Sequence, residues 1–419
     1  VRAALALSLA LLLPACGGRE AEPPPPPPSS DLPSEKRIPS ELEAAHGRET
    51  GNLLNIAYGA AVVSRTAELT LDNSALRAID GDADSMWATP PRDYHQTLVF
   101  SLGAPARIEQ VGVRSPTIPL SHTSRLSIEL SADGTTFTPA ATMNPKVDAE
   151  PQLIAIAPRE ARFVRVTTHE GGARVAALQS VHVRGSFLAP PTAAPLTGCW
   201  AVNGALGRFS EKDGRVYGEV DGFHLDGALS GGVYRFAWNK GPNWGYALAT
   251  VTPDGQRFSG ITWYEEAAHH SFGTTWFGER SECDLSGLAD HDVAGSFLRR
   301  AGWYPLFSLR FDARDALIVP ASSGGLAVLE RLIRRLPGQR LRLLAREFHE
   351  ASPDANRTRA VTRLESLRSA LRTRGVETNN LEFVPLGSGS PRRPTATAPM
   401  RQLYSVVEIE VPATVRSEF

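Results

Sequence analysis

The chain has 419 residues, 42% hydrophobic and 21% charged, a globular composition long enough for several domains. Lys and Arg number 44 against 45 Asp and Glu, and a formal net charge of −1 excludes a nucleic-acid binder working through bulk charge. Three cysteines are too few for a disulfide scaffold, no Cys/His spacing resembles a zinc site, and no apolar run reaches the roughly 18 residues of a membrane span.

Arg2 precedes the apolar run Ala3 to Leu13, and Pro14, Ala15 and Cys16 follow. A short charged region, a brief apolar region and a small residue before a cysteine form an export leader. Leu13-Pro14-Ala15-Cys16 resembles a bacterial lipoprotein signal, with an ordinary secretory leader as the alternative. The resemblance implies removal of residues 1–15, acyl chains on Cys16 and anchorage in the outer membrane, the periplasmic side being expected. Each buried acyl methylene contributes about 0.8 kcal/mol. Residues 16–50 then form a tether. Pro23 to Pro28 favour a stiff polyproline II spacer, and the surrounding Glu, Ser and Pro stay solvated.

Over residues 51–187 short alternating runs replace this pattern. Leu98-Val99-Phe100, Ile108 to Val113, Leu126 to Leu130 and Phe163 to Val166 are predicted strands, and Asp133-Gly134 marks a hairpin whose turn needs positive φ. Such spacing predicts a β-sandwich. Asn55-Ile56-Ala57, Ala78-Ile79-Asp80-Gly81-Asp82 with Trp87, Leu98 to Gly103, Leu126 to Gly134, Arg162 to Val166 and Val181 to Gly185 resemble the discoidin family, in order. That family binds glycans, lipids or proteins through loops at one end of the sandwich, and often holds a structural calcium. The resemblance places Asp80, Asp82 and Ser85 among calcium ligands, carboxylate and carbonyl oxygens suiting that ion. Gln179 stands near where the family has a completing glutamate. Tyr94, His95 and Arg114 are candidate ligand-facing residues. Trp87 is expected in the core.

Residues 196–284 carry five of the seven tryptophans: Trp200, Trp238, Trp244, Trp263 and Trp276. Predicted strands at 216–220, 233–238, 245–251, 258–264 and 274–278, with a turn at Asp254-Gly255, form an antiparallel meander or small barrel. The tryptophans are expected to fill its core rather than to form a glycan platform. Cys199 and Cys283 bracket the unit, and an exported protein meets an oxidising compartment, so a disulfide tying first strand to last is expected. His269-His270 beside Glu265 and Glu266 is not expected to hold a metal, because adjacent strand residues face opposite ways.

Residues 292–413 switch between periods of two and 3.6. The pattern gives strands at 306–311, 340–344, 381–384 and 404–411. Helices follow from Leu326, Leu329, Ile333 and Leu336, and from Ala360, Leu364, Leu367 and Leu371, the second closed by Gly375. The order β-α-β-α-β-β predicts a two-layer α/β sandwich. Asn356, Arg363, Leu371 and Gly375 stand in the register of the OmpA-like domain, with Arg310-Phe311-Asp312, Leu317 and Pro320 before them and Val407 to Val411 after. That resemblance implies peptidoglycan binding, Arg363 gripping a wall-peptide carboxylate and Asn356 shaping the pocket. Phe348 stands where the family has an aspartate, with Glu347 and Asp354 near but out of register, and Tyr404-Ser405-Val406 replaces Asn-Arg-Arg. Twelve arginines between Arg331 and Arg374 admit an anionic partner or a solvated helix surface.

No nucleophile elbow or metalloprotease helix is present in the sequence. The expectation is a non-enzymatic outer-membrane lipoprotein that binds glycan or protein with its first domain and peptidoglycan with its last. The alternative is an adhesin or assembly scaffold whose last domain docks a protein instead.

Overall fold

The computed structural model describes residues 51–118, 120–265, 273–312, 314–348, 352–389 and 397–419. The leader, Cys16, the tether, Glu266 and His269-His270 lie outside the described residues.

The first unit holds β1 (Ala61–Arg65), β2 (Trp87–Ala88), β3 (Thr97–Arg114), β4 (Thr123–Ser131), β5 (Thr138–Met143), β6 (Gln152–Gly171), β7 (Ala177–Leu178) and β8 (Ser180–Phe187). The two strands expected at 98–100 and 108–113 are one strand, β3, whose register breaks between Ser101 and Ala106. Pro105 lies in that break, where no ladder hydrogen bond is asked of it. The first half of β3 pairs with β1 and the end of β6; its second half pairs with β8 and the start of β6. Two long strands therefore serve both layers of the sandwich. Leu98, Phe100, Ile108, Val111, Val113, Val164, Val166, Val181 and Val183 meet between those layers, all buried. Trp87 is fully buried, as expected. The Asp133-Gly134 hairpin forms, but only Gly134 has positive φ; Asp133 instead accepts hydrogen bonds from the Thr135 and Thr136 amides at 2.8 Å.

The second unit is a closed eight-stranded antiparallel barrel. Its strands are β9 (Gly198–Val202), β10 (Ala205–Lys212), β11 (Arg215–Val220), β12 (Phe223–Ser230), β13 (Val233–Lys240), β14 (Asn243–Val251), β15 (Arg257–Tyr264) and β16 (Thr274–Ser281). Trp200, Phe209, Tyr234, Phe236, Trp238, Phe258 and Trp276 fill the interior. Glycine makes this filling sterically feasible: a Cβ at Gly278 would collide with the Phe258 ring, and one at Gly245 with the Trp238 ring. Trp244 and Trp263 depart from the expectation that the tryptophans fill the barrel. They point outward and belong to the core shared with the flanking units. The Cys199–Cys283 disulfide forms, Cα atoms 5.8 Å apart, with Cys283 just beyond the end of β16. Closing so long a loop contributes about 4 kcal/mol in the chain-entropy model.

The third unit contains α1 (Val293–Ala301), β17 (Trp303–Pro305), α2 (Ser323–Arg335), β18 (Leu341–Arg346), α3 (Pro353–Thr373), β19 (Leu381–Gly387), α4 (Ala398–Tyr404) and β20 (Val407–Glu410). Its sheet runs β17-β20-β18-β19, with β18 and β19 parallel. Two expected strands are corrected. Residues 306–311 are not a strand: Leu306, Phe307 and Leu309 are buried core residues of an irregular segment that follows β17. Tyr404 ends α4 rather than opening the last strand, because Thr397 caps a helix with Pro399 in its first turn. Gly375, at φ 74°, ends α3, and the Val376 amide reaches back to the Leu371 carbonyl at 3.0 Å.

Both flanking units pack on the barrel's outer wall. Hydroxyls of that wall meet the backbone of the first unit: Val62 donates to Ser259 Oγ at 3.0 Å, Thr250 donates to the Ala60 carbonyl at 2.8 Å, and Thr275 to the Leu71 carbonyl at 2.8 Å. On the other side, Trp244 and Tyr246 pack edge-on against Phe297, Trp303, Phe307 and Tyr404. Arg215 binds Asp226 and Asp290 at 2.7 Å, and the Tyr304 hydroxyl donates to Asp226 at 2.6 Å.

Candidate functional site

Three groups of predicted site residues can be placed. Tyr94, His95 and Arg114 come to the same end of the sandwich. The segment before β3, the turn at 120–122 and the loop after β6 are stitched there by backbone hydrogen bonds: Gly172 to His122, Arg174 to Leu120, and Thr168 to Gln96. Thr168 Oγ1 donates to the Tyr94 carbonyl at 2.6 Å and fixes that ring's backbone. His95 is exposed, 5.5 Å from the His169 ring, while Tyr94 is half-buried against Gly171. Arg114 ends β3 opposite Ser180, and its Nε is buried with no hydrogen-bond partner among the described residues. Ile118 and Leu120 stand exposed on the same rim, 47% and 48% accessible. This end offers a ring, an imidazole, a guanidinium and apolar edges, which is the mixture that grips a polar ligand with apolar faces.

The Asp80 loop is more closely organised. Ser85 Oγ lies 2.8 and 2.9 Å from the two Asp80 oxygens, 3.2 Å from the Asp82 carbonyl and 3.4 Å from the Arg77 carbonyl. Asp82 contributes its backbone carbonyl here. Its carboxylate turns away and accepts from the Asp84 amide at 2.9 Å. Gln179 Nε2 donates to the Ala83 carbonyl at 2.7 Å, leaving its Oε1 buried with no hydrogen-bond partner among the described residues. The Arg77 guanidinium, fully buried, sits 3.3 Å from Asp80 and reaches across to the Gly273 carbonyl of the barrel. Burial, opposed by Arg77, pushes the Asp80 carboxyl up to about 7. The Asp80 carboxylate, the Ser85 hydroxyl and the Arg77 and Asp82 carbonyls make an all-oxygen set of the kind a hard cation takes.

Arg363 and Asn356 lie two turns apart on α3. Arg363 is held inside the unit. It donates to Asp315 at 2.8 Å, forms an ion pair with Glu347, and lies over the Phe311 ring at 5.0 Å. Arg359 joins the same Asp315 at 3.0 Å. The Asp315 partnership was not anticipated: Asp315 sits in a tight turn at φ 61°, 48 positions from Arg363, and carries no family signature. Glu347, out of register by sequence, does reach the arginine. Phe348 is fully buried, its amide donating to Ser405 Oγ at 3.1 Å. Asn356 is buried where the start of α3 abuts Gly387.

A family model matches the first unit. Residues 62–179 match the F5/8 type C domain. The F5/8 type C match covers the stretch on which the discoidin resemblance rests. No curated protein matches the chain. Among solved structures, the chain is similar to a family 32 carbohydrate-binding module from Clostridium perfringens NanJ in complex with galactose. Identity is 19%, with 32% of this chain and 97% of that one covered, at a TM-score of 0.28. It is also similar to a C. perfringens module in complex with GalNAc-β-1,3-galactose, at 18% identity over 32% and 99% of the two chains and a TM-score of 0.29. A chitosan-binding module from a Paenibacillus chitosanase/glucanase, in complex with chitotriose, is 25% identical over 31% and 100%, with a TM-score of 0.28.

Beneath Arg114 lies His182, buried, its Nε2 2.7 Å from Ser180 Oγ. Burial, with Arg184 and Arg114 nearby, pulls its pKa down to about 4. The unfolded imidazole takes a proton near 6.5, so between those values the unfolded state binds more protons and acid favours unfolding. The protein should lose roughly 3 kcal/mol between pH 6.5 and 4 through this group. Denaturant melts across that range should show a slope shallower by about one proton in His182→Gln; equal slopes would remove His182 from the account.

Proposed function

We propose that the protein is a non-enzymatic, carbohydrate-binding envelope protein, lipid-anchored to the outer membrane through Cys16 and lifted on the proline-rich tether into the periplasm. The F5/8 type C match over residues 62–179 carries the binding part of this reading. Tyr94, His95 and Arg114 form the binding end: the ring covers an apolar sugar face, while the imidazole and the Arg114 guanidinium meet hydroxyls. A calcium ion in the Asp80 loop is held by Asp80, Ser85, the Arg77 and Asp82 carbonyls and Gln179 Oε1. It rigidifies the loop behind the binding end and adds no reactive chemistry.

For the C-terminal unit, one observation favours the scaffold alternative over peptidoglycan contact. Arg363 already meets two carboxylates, Asp315 and Glu347, and is only 12% exposed. A wall-peptide carboxylate would have to displace one of these buried internal partners, and breaking a buried ion pair costs about 3–5 kcal/mol. The OmpA-like unit in this reading docks a protein partner.

Three outcomes are expected. On a glycan array the full chain retains sugars, and Tyr94→Ala and His95→Ala each weaken the best hit about tenfold, or roughly 1.4 kcal/mol. Unchanged binding by both folded variants would move the site elsewhere; retention of proteins but no sugars would replace the ligand class. Calcium raises the melting temperature of the wild type and not of Asp80→Asn, and an equal rise in both would dismiss the Asp80 loop. Purified sacculi retain wild type and Arg363→Ala equally. A selective loss by the variant would restore the wall contact.

A further inference from the structure

The strongest uncommitted cluster lies on the barrel's outer wall. Val220-Asp221-Gly222-Phe223 is a two-residue hairpin with positive φ at both central positions, 46° and 75°, the geometry that matches strand twist. Val220, Phe223 and Leu225 turn into the barrel core, so alternation sends Glu219 and His224 outward as direct cross-strand neighbours. His291 arrives from the segment that leads into α1. Its neighbours are fixed on both sides: Asp290 forks onto Arg215 at 2.7 Å, and Asp292 caps α1 and pairs with Arg335 at 2.7 Å.

The result is a compact donor set. The His224 and His291 rings stack at 3.5 Å with only 10° between planes, and His291 Nε2 lies 3.6 Å from Glu219 Oε2. One ligand atom from each residue lies within 4.8 Å of the others. Arg208 occupies only Oε1 of Glu219, leaving Oε2 turned toward the imidazoles. Neither imidazole has a hydrogen-bond partner among the described residues. Two nitrogens and one carboxylate oxygen suit zinc rather than calcium. Tetrahedral bonds of about 2.1 Å put ligand atoms about 3.4 Å apart, so rotations of the partly exposed side chains close the set.

We propose that Glu219, His224 and His291 bind one divalent transition-metal ion of the zinc type, which clamps the segment entering α1 onto the barrel wall. Three protein ligands leave the fourth position to water. The site owes nothing to the glycan reading and stands or falls apart from it.

The test uses the full chain, stripped with chelator and dialysed against Zn(II), with bound metal quantified. Titration with Co(II) is followed by its visible absorption. One ion per chain is expected at this site. His224→Ala and His291→Phe each weaken it at least about tenfold, the phenylalanine keeping a ring on the stack while removing the donor. His169→Ala, in the other histidine pair, leaves binding unchanged. Zinc should also raise the melting temperature of the wild type and not of His291→Phe. The proposal is overturned if the wild type binds no zinc, or if His224→Ala and His291→Phe both bind with wild-type affinity.

Discussion

The outer wall of the barrel over β13 to β16 governs the whole architecture. A closed sheet needs an apolar interior, and alternation normally leaves its outside polar. Here both faces are apolar: Trp238, Ala247 and Phe258 point in, while Trp244, Tyr246, Leu248, Ile261, Trp263 and Phe277 point out. An exposed patch of that size would be an aggregation hazard, so the wall must be covered. The first and third units cover it, and one continuous core runs through all three.

The covering also solves the edge-strand problem of the sandwich. β1 is the last strand of its sheet, with one side free of strand partners. Edges of that kind invite pairing with other chains. The barrel answers with side-chain hydroxyls, Ser259 and Thr250, placed against the backbone around Val62. Arg65 lies over the Phe277 ring at 3.7 Å and closes the seam. Arg77 links this seam to the Asp80 loop, since its guanidinium serves the barrel and its carbonyl faces Ser85.

Much of this was legible in the sequence. Period-two patterning gave the strands of the sandwich and most of the barrel, and Gly375 marked the end of α3. The disulfide followed from the bracketing positions of Cys199 and Cys283 together with the expectation of export. The failures have physical causes. Alternation cannot distinguish a strand with one apolar face from a strand with two, so Trp244 and Trp263 were assigned to the interior. The run Leu306 to Phe311 is apolar because it is buried, and burial without a ladder partner leaves it irregular. Glu219, His224 and His291 are separated by a strand turn and by 67 positions, and only barrel closure with the Asp290 anchor brings them together.

Two arginines of the molecule stand in contrasting surroundings. Both Arg114 and Arg363 stand in positions that sequence resemblance or pattern marked for ligands. Arg363 has its charge neutralised by Asp315 and Glu347 and its plane covered by Phe311, so a ligand gains only what those partners lose. Arg114 has a buried donor with no hydrogen-bond partner among the described residues, above the buried His182. An unmet buried donor costs about 1–3 kcal/mol. The charges of the C-terminal unit are spent on holding its own turn, helix and sheet together.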